Sequence, residues 1–449
     1  MSKTKIKYVC GTCGFESLKW LGKCPSCESW NSFSEEIVEA KKKNTNISST
    51  NSAVKINSIT STHEVRLKSN IKEFDRVLGG GITTGSVVLI GGDPGIGKST
   101  LVLQSAAKIN GVVLYVTGEE SLHQIKLRAE RLKVLSDNIL VFPETELDVI
   151  LSKVDEIQPA LVVIDSIQTI SKSDFDNAPG TVTQIRECTA LIMRFAKSKN
   201  IPFILIGHVT KEGFIAGPKI LEHIVDTVLQ FEGERTSSFR ILRSQKNRFG
   251  STNEIGIFEM HDTGLIEVSN PSEIFLGERN KKIAGSVIAA SIEGTRPVLL
   301  EVQALVTPSN FGNPQRVTTG FDYRRLSILL AVLEKRARLR LSTANVFLNL
   351  AGGLRIDEPA IDLAVCCAVA SSILDKPAPN DMIIIGEVGL GGEIRAVSHI
   401  EKRISEAEKL GFKKIFLPPK NKSAIKENSS IKLIDAENIY DALKYLFKE

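Results

Sequence analysis

The sequence predicts an α/β protein built on a parallel β-sheet, with a small cysteine-rich module before the sheet and an α+β unit after it. From residue 65 to about residue 268, apolar runs of strand length alternate with helical patterns, which is typical of a parallel sheet covered on both faces. Four of the seven cysteines lie in the first 27 residues. From about residue 269 the chain is dense in Val, Ile and Leu. We therefore predict four segments: 1–34, a polar linker 35–64, 65–270 and 271–449.

Composition sets only broad limits on function. Of the 449 residues, 42% are hydrophobic and 24% are charged, and the net charge of +5 permits a polyanionic partner without requiring one. The most apolar helical stretch, Ala360 to Leu374, is too short to span a membrane and contains Asp362. The N-terminus is basic but lacks an apolar signal region. We expect a cytoplasmic protein in a reducing compartment, with no membrane partner.

The predicted strands and helices follow from the spacing of apolar residues. The strand runs are Val87–Ile90, Val112–Val116, Leu161–Ile164 and Phe203–Ile206. Between the second and the third run lies a helical pattern with one apolar face, formed by Leu122, Ile125, Ala129 and Leu132. The segment 35–64 is rich in Ser, Thr and Asn and cannot bury a core, so it is predicted to be a flexible linker.

A phosphate-binding loop is predicted between a strand and a helix. Residues 92–99 match the pattern G-x-x-x-x-G-K-[ST], with the strand Ser86–Ile90 before them and the helical stretch Thr100–Ala107 after them. Glycines let backbone N–H groups and the helix N-terminus face a phosphate. We expect Lys98 to reach the β- and γ-phosphates of ATP and Ser99 to bind Mg²⁺. The predicted ATP-binding residues are Gly92, Asp93, Pro94, Gly95, Ile96, Gly97, Lys98, Ser99, Thr100 and Asp165; the alternative is a chance Gly-rich turn.

Polar residues at the ends of strands complete the predicted hydrolytic site. Asp165 ends an apolar strand and, with Ser99, is a candidate for holding Mg²⁺, in its case through water; the alternative is an aspartate that caps a turn. Glu119 is our choice for the catalytic base, ahead of Glu120, although either glutamate is also suited to starting a helix. His208 ends another strand, where it either senses the γ-phosphate or lies at the edge of the core.

The cysteines near the N-terminus have the spacing of a zinc site. Cys10, Cys13, Cys24 and Cys27 form two C-x-x-C pairs separated by ten residues. Tetrahedral zinc takes four such ligands, and each pair delivers two thiolates to one point. We predict a structural Zn²⁺ ribbon without an open catalytic position. A redox pair is the alternative, but the thioredoxin-like strand and helix that it requires are absent from the pattern.

A basic segment follows the predicted strand Phe239–Leu242. It reads Lys246-Asn247-Arg248-Phe249-Gly250, and two cations one residue apart on an extended chain point to the same side. In a ring of P-loop subunits, such a pair reaches the γ-phosphate of the neighbouring subunit, as arginine fingers do. The alternative is a basic turn that contacts a nucleic-acid backbone or solvent. We include Lys246 and Arg248 among the catalytic candidates, with Lys98 and Glu119.

Together these motifs resemble a known family. The zinc module, the P-loop, the pair Glu119-Glu120 and the segment Lys246–Gly250, a signature of that family, follow the order of the bacterial RadA (Sms) family of DNA repair proteins over essentially the whole chain. The resemblance implies a RecA-like core and a DNA-stimulated ATPase that forms hexameric, DnaB-like rings. It implies branch migration of recombination intermediates, with single-stranded and branched DNA and the RecA recombinase as partners, in a nucleoid-associated location. Lys246 and Arg248 then act across the subunit interface or in coupling to DNA.

The C-terminal part is similar to the proteolytic domain of Lon. Residues 386–394 match a Lon-like strand segment, and Ala360 stands where Lon carries its nucleophilic serine. Glu401, next to Lys402, stands at the position of the catalytic lysine. Without a hydroxyl nucleophile and a lysine base, no peptidase activity is expected. We predict an α+β, Lon-protease-like domain that serves as a scaffold for the ring.

The sequence offers alternatives for the DNA-contacting surfaces and for the function of the protein. A basic cluster either contacts DNA phosphates or is a solvated face, and it consists of Lys335, Arg336, Arg338 and Arg340. The segments Ser171–Thr183 and Val209–Pro218 are candidate DNA loops by position alone. A P-loop signalling or scaffold ATPase of the circadian-clock type, without DNA motor activity, is the main alternative function, because it shares the Glu-Glu pair. The zinc module and the Lys246–Gly250 segment argue against it.

Overall fold

The computed structural model describes residues 5–11, 15–26, 28–38, 55, 66–175, 178–207, 218–233, 238–276, 283–309, 314–353, 355–425 and 430–447. Internal contacts divide the chain into two compact units: Met1–Glu232 with Arg240–Glu267, and Gly233–Phe239 with Val268–Glu449. Most of the predicted linker, residues 39–54 and 56–65, lies outside the described residues.

The amino-terminal module is an antiparallel sheet in the order β2-β1-β3, as far as it is described. Its strands are β1 (Lys5–Cys10), β2 (Glu16–Ser17) and β3 (Phe33–Val38). β3 pairs with β1 along its whole length, so residues 35–38, which composition assigns to the linker, belong to the sheet. Backbone pairing satisfies the N–H and C=O groups of this strand whatever its side chains are, which composition does not reveal.

The first unit is built on a sheet that contains nine strands within the described residues, in the order β14-β13-β12-β11-β6-β10-β9-β7-β8. The strands from β8 to β11 in this order run parallel, and β12 pairs antiparallel with β11. Their bounds are β6 (Val87–Gly92), β7 (Val113–Thr117), β8 (Ile139–Pro143), β9 (Leu161–Asp165), β10 (Phe203–Ile206), β11 (Thr227–Glu232), β12 (Phe239–Asn247), β13 (Ile255–His261) and β14 (Gly264–Glu267). The predicted parallel sheet is confirmed.

Helices connect the parallel strands, and one further helix, α1 (Lys72–Val77), precedes them. The connecting helices are α2 (Lys98–Lys108), α3 (Leu122–Arg131), α4 (Leu147–Ile157), α5 (Val182–Lys199) and α6 (Pro218–Ile224). A short antiparallel ribbon, β4 (Arg66–Leu67) with β5 (Ile82–Thr83), precedes β6. The start of α3 follows from local sequence, because Ser121 and Gln124 form a reciprocal capping box.

Alternate residues of the parallel strands enter two separate hydrophobic clusters. Val88 and Ile90 of β6 lie in the cluster that includes α2 and α3, whereas Val87 and Leu89 lie in the cluster that includes α4 and α5. Burial on both faces explains why these strands are continuously apolar. Charged residues therefore lie at the strand ends, and the carboxyl edge of the sheet is where an open α/β fold binds its ligands.

The second unit is an α+β domain around a sheet with seven strands in its described part, in the order β17-β18-β16-β15-β19-β22-β23. The strands, with the separate ribbon β20-β21, are β15 (Ser286–Glu293), β16 (Arg296–Pro308), β17 (Arg316–Thr319), β18 (Ala344–Leu350), β19 (Met382–Ile384), β20 (Glu387–Val388), β21 (Ile394–Arg395), β22 (Lys414–Leu417) and β23 (Lys432–Asp435). Its helices are α7 (Pro271–Phe275), α8 (Tyr323–Ala337), α9 (Asp362–Leu374), α10 (Ile400–Lys409), α11 (Pro419–Ala424) and α12 (Ile439–Phe447).

The apolar stretch Ala360–Leu374 forms a buried helix, as predicted. Every residue of α9 from Asp362 to Ser371 is buried, and the Asp362 carboxylate pairs with both Nε and Nη2 of Arg325 on α8. The ion pair explains how an aspartate is tolerated in this apolar helix, since a buried charge requires a partner. None of the helices in the described part of the chain combines the length and the apolar composition that a bilayer crossing requires.

Candidate functional site

The predicted phosphate-binding loop lies between β6 and α2, and its backbone requires glycine. Gly92 has a φ of 151°, and a Cβ atom there would lie 2.7 Å from the carbonyl oxygen of Phe231. Gly97, with a φ of 114°, precedes the first residue of α2 and makes no side-chain cap. The first N–H groups of this 11-residue helix are therefore left for an anion, which is the arrangement that binds phosphate.

Lys98 is folded back onto the loop from the first turn of α2. Its Nζ donates to the carbonyl oxygens of Gly92, at 2.7 Å, and Asp93, at 2.9 Å, and the residue is buried. Burial lowers the pKa of Lys98 to about 8, and the negative charges of Asp165, Asp93 and Glu119 counteract part of this effect. A phosphate in the loop would supply the anionic partner that the buried ammonium group otherwise lacks at close range.

Asp165 ends β9 beside β7, and a tyrosine holds its carboxylate. The hydroxyl of Tyr115 donates to Oδ2 of Asp165 at 2.6 Å, and both residues are buried. Burial and the charge of Asp165 raise the pKa of Tyr115 well above its ordinary value, so the hydroxyl keeps its proton for this hydrogen bond. Sequence reasoning missed Tyr115. Its sequence signal is a hydroxyl in the middle of the apolar strand β7, two residues before Thr117, the register partner of Asp165.

The two glutamates that follow β7 have different partners. Glu119 accepts a hydrogen bond from the Ser166 hydroxyl, whereas Glu120 forms an ion pair with Arg128 of α3. Glu119 is thus tied to the residue next to Asp165, and Glu120 to the helix that follows. This difference favours Glu119 as the group nearer to the metal ligand, in line with its predicted role as the base.

These residues line one cavity of about 300 Å³ at the carboxyl edge of the sheet. The structure brings together Gly95, Gly97, Lys98, Ser99, Thr100, Glu119, Glu120, Arg128, Arg131 and Asp165. The set combines a cationic phosphate-binding loop with a hydroxyl and a carboxylate, the donors that Mg²⁺ takes beside a nucleotide. The residues therefore fit ATP and Mg²⁺ chemically, and bound Mg²⁺ would neutralise phosphate charge during hydrolysis. Two arginines of α3 are additions that sequence reasoning did not anticipate.

Lys246 and Arg248 lie outside this cavity and contact a neighbouring turn. Strand β12 extends to Asn247, beyond the predicted end at Leu242, so Lys246 lies within the strand. Its Nζ donates to the carbonyl oxygens of Glu222 and Val225, at 2.6 and 2.8 Å. Nη1 of Arg248 lies 3.2 Å from Oδ1 of Asp226, and the Arg248 side chain is 49% exposed. Both cations reach the same turn, as their alternate spacing predicts, and neither lines the nucleotide cavity of its own chain.

Several candidates are only partly described. His208 and residues 209–217 of the predicted loop Val209–Pro218 lie outside the described residues, as do residues 176 and 177 of the loop Ser171–Thr183. In the latter loop, Thr181 accepts a hydrogen bond from the backbone N–H of Gln184 and so caps α5. The basic cluster Lys335, Arg336, Arg338 and Arg340 is exposed, at and beyond the end of α8. Exposure is compatible with both proposed roles of this cluster.

The cysteine module shows two matched turns. Cys10 and Cys24, one from each C-x-x-C pair, are buried, and Cys13 and Cys27 lie outside the described residues. The N–H of Cys10 donates to the carbonyl of Phe15, and that of Cys24 to the carbonyl of Ser29, both at 2.9 Å. Each turn is therefore closed over the same number of residues. Buried cysteines at equivalent positions of two matched turns fit a pair of zinc knuckles.

Purified protein is expected to contain about one zinc ion per chain, because one four-cysteine cluster binds one tetrahedral ion. Metal analysis of protein never exposed to chelator or oxidant measures this content. Cys10→Ser should lose most of the zinc, whereas Cys188→Ser should keep it, since Cys188 lies on the buried face of α5 in the core. Zinc-free wild-type protein would contradict the assignment.

The two positions that correspond to the catalytic residues of Lon hold Ala360 and Glu401, and an ion pair lies close to both in sequence. Ala360 is buried in a short 3₁₀ helix before α9, and Glu401 is exposed on α10. Glu358, two residues before Ala360, pairs with the buried Arg403, two residues after Glu401, through both Nη atoms of the arginine. Glu358 also accepts hydrogen bonds from the Ser291 hydroxyl and the Ile292 N–H, at 2.9 and 2.7 Å. These contacts engage both oxygens of the Glu358 carboxylate, so we assign the residue a structural role.

Incubation with an unfolded protein and ATP is expected to yield no cleavage, and Ala360→Ser is expected to yield none either. The variant restores a hydroxyl but not a base, because the lysine position is an exposed glutamate. Peptide release from a labelled unfolded substrate measures both proteins. Cleavage that survives repurification, or that appears only in Ala360→Ser, would show that a base is present and that the correspondence with Lon is incorrect.

Comparison with protein families defines the class. Three family models match separate parts of the chain: a rubredoxin metal binding domain over residues 8–35, an AAA domain over residues 52–213, and subunit ChlI of Mg-chelatase over residues 323–421. The first falls on the cysteine module, the second covers the P-loop and the strands of the sheet up to β10, and the third covers the middle of the C-terminal unit. The protein is a RecA-like P-loop ATPase with an N-terminal zinc ribbon and a Lon-protease-like C-terminal domain, so the predicted fold class is confirmed.

Full-length relatives identify the family within that class. The DNA repair protein RadA of Listeria monocytogenes serovar 1/2a is 54% identical over 99% of this chain and 98% of its own length. The same protein of Bacillus subtilis strain 168 is 53% identical, covering 99% of both chains. The chain belongs to the RadA family. A solved structure described as that of the RadB recombinase is also similar, with 21% identity and a TM-score of 0.37, over 45% of this chain and all of its own.

Proposed function

We propose that this protein is a DNA-dependent ATPase that acts in DNA repair and recombination. The observation that carries the proposal is the convergence of Lys98, Ser99, Asp165 and Glu119 on one cavity. In this proposal Lys98 and the loop hold the phosphates, and Ser99 and Asp165 hold Mg²⁺. Glu119 accepts a proton from the attacking water. The names of the full-length relatives support the role in DNA repair.

The finer features of the proposal follow from the family. They are a hexameric, DnaB-like ring, helicase-like movement that promotes branch migration of RecA-mediated strand exchange, and a cytoplasmic, nucleoid-associated location. Single-stranded and branched DNA and the RecA recombinase are the proposed partners. The proposed domains are a zinc finger (1–38, extended by the strand that ends at Val38), a linker (39–64), a RecA-like ATPase (65–270) and a proteolytically inactive Lon-like scaffold (271–449).

The positions of Lys246 and Arg248 are compatible with a ring. Both side chains lie outside the cavity of their own chain, and Arg248 is half exposed. An exposed cation that does not serve its own nucleotide is available either to the cavity of a neighbouring subunit or to a DNA phosphate. We favour the first role, in which Lys246 and Arg248 act across the subunit interface.

The test is the rate of ATP hydrolysis with and without single-stranded DNA, at several salt concentrations. A DNA-dependent ATPase should be stimulated, and the stimulation should weaken as salt rises, because phosphate contacts release counterions. Double-stranded DNA and a neutral polymer serve as controls. Hydrolysis that single-stranded and branched DNA leave unchanged would favour the alternative, a P-loop signalling or scaffold ATPase.

A further inference from the structure

Helix α3 places two arginines on the wall of the nucleotide cavity. Arg128 and Arg131 lie three positions apart on this helix, and both line the cavity. The buried residues Ile125 and Ala129 hold the same helix against the sheet. The two arginines therefore approach the nucleotide of their own chain from a fixed element, independently of the P-loop and of the Lys246–Gly250 segment.

The guanidinium of Arg128 is only partly satisfied where it lies. Nη2 donates to the Glu120 carboxylate, whereas Nη1 is buried and has no hydrogen-bond partner within the described part of the chain. The whole side chain is 22% exposed. An N–H group that is kept from water and lacks an acceptor is unfavourable. The side chain would gain hydrogen bonds by turning to a second anion within reach.

Its neighbours place Arg128 near the end of the cavity where phosphate charge is handled. Glu120 directly follows Glu119, and burial together with Asp165 raises the pKa of Tyr115 while the charge of Arg128 opposes that rise. Arg128 is therefore within electrostatic reach of the hydroxyl that holds Asp165. In P-loop sites the metal bridges the β- and γ-phosphates, so a group close to the metal-binding carboxylate is also close to the terminal phosphate.

Arg128 can leave Glu120 without any movement of the backbone. The backbone of Glu120 is fixed by Thr117, whose hydroxyl donates to the Glu120 carbonyl at 2.9 Å and accepts from its N–H at 3.1 Å. Arginine has a long flexible stem, and its guanidinium matches phosphate as well as carboxylate. Exchange of one anionic partner for another therefore requires only a side-chain rotation.

We infer that Arg128 recognises the terminal phosphate of a nucleoside triphosphate bound to its own subunit, by leaving Glu120 for that phosphate. The inference rests on the proposed nucleotide site and adds a specificity determinant to it. A nucleoside diphosphate lacks this terminal phosphate, so Arg128 keeps its ion pair with Glu120 when a diphosphate is bound. Arg128 therefore sets the preference for triphosphate over diphosphate, and its position depends on which of the two is bound.

Binding of a non-hydrolysable ATP analogue and of ADP, each with Mg²⁺, tests the inference by calorimetry. In Arg128→Ala the affinity for the triphosphate should fall about tenfold to a hundredfold, the range for one charge-assisted hydrogen bond, while ADP affinity changes by less than about threefold. Arg128→Gln, which keeps a polar, unbranched stem but removes the charge and the reach of the guanidinium, should show the same selective loss if the alanine variant folds poorly. Lys126→Ala, exposed on the same helix, is the matched control and should change neither affinity.

Two further results decide against competing explanations. The double variant Arg128→Ala with Glu120→Gln should still bind the triphosphate more weakly than Glu120→Gln alone. If it does not, the loss seen in Arg128→Ala comes from the unpaired Glu120 carboxylate, and the inference is overturned. An equal loss for both nucleotides would also overturn it, because a purely structural ion pair does not distinguish them. If the wild-type protein bound neither nucleotide, the proposed function itself would fail and the inference with it.

Discussion

Lys98→Ala is expected to lose most ATP hydrolysis, by roughly 30-fold to several thousandfold, the effect of removing one partner of a buried, hydrogen-bonded charge pair. The ammonium group is buried at the base of the loop, where it donates to two loop carbonyls. Alanine removes both the charge that a phosphate requires and the donors that hold the loop. Steady-state hydrolysis and nucleotide binding should therefore fall together.

Lys108→Ala is the matched control for this variant. Lys108 is the last residue of the same helix, is exposed, and lies outside the cavity. Its replacement should leave hydrolysis near the wild-type rate. Thermal unfolding of both variants separates a local effect from loss of the fold. If a folded Lys98→Ala protein hydrolysed ATP at the wild-type rate, the assignment of residues 92–99 as the phosphate-binding loop would be wrong.

Arg248→Ala is expected to lower hydrolysis by up to about a thousandfold, if Arg248 acts on the neighbouring subunit as arginine fingers do. The change should not unfold the protein. Its partner Asp226 is also an acceptor for the backbone N–H of Val87, at 3.2 Å, and lies 3.8 Å from Nζ of Lys197. Arg243→Ala, on the same strand and ion-paired with Glu232, is the matched control and should stay near the wild-type rate.

Mixing Arg248→Ala with Lys98→Ala distinguishes action between subunits from action within one. In a ring assembled at random from equal amounts, about a quarter of the interfaces pair an intact Lys98 with an intact Arg248 from the next subunit. Such interfaces should recover activity, so the mixture should exceed the mean of the two variants. The measurement is the hydrolysis rate at several mixing ratios, after subunit exchange has been shown independently.

Two other outcomes have different meanings for Arg248. If the residue acted within its own subunit, no chain in the mixture would contain both groups, and the mixture would equal the weighted mean. If it contacted only DNA, Arg248→Ala would keep its basal rate and lose only the DNA-stimulated part. The half-exposed position of Arg248, near Asp226 and away from its own cavity, argues against action within its own subunit, and the mixing experiment distinguishes the two remaining roles.

The amino-acid sequence by itself determined those features whose signal is local. The P-loop pattern at residues 92–99 and the apolar strands on either side of it predicted the parallel sheet and its phosphate-binding edge. The spacing of Cys10, Cys13, Cys24 and Cys27 predicted a metal module in the same way. Glycine conformations, strand alternation and paired cysteines depend on residues a few positions apart, so a single sequence is sufficient to recognise them.

Only the tertiary structure decided which side chains meet. Tyr115 contacts Asp165 across 50 residues of sequence, and Arg403 contacts Glu358 across 45. Arg128 is only eight residues from Glu120, but its pairing depends on how α3 packs against the sheet. Hydrophobic periodicity shows which face of an element is buried, but not which element lies against it. Partners brought together by strand order and helix packing therefore leave no pattern in the sequence.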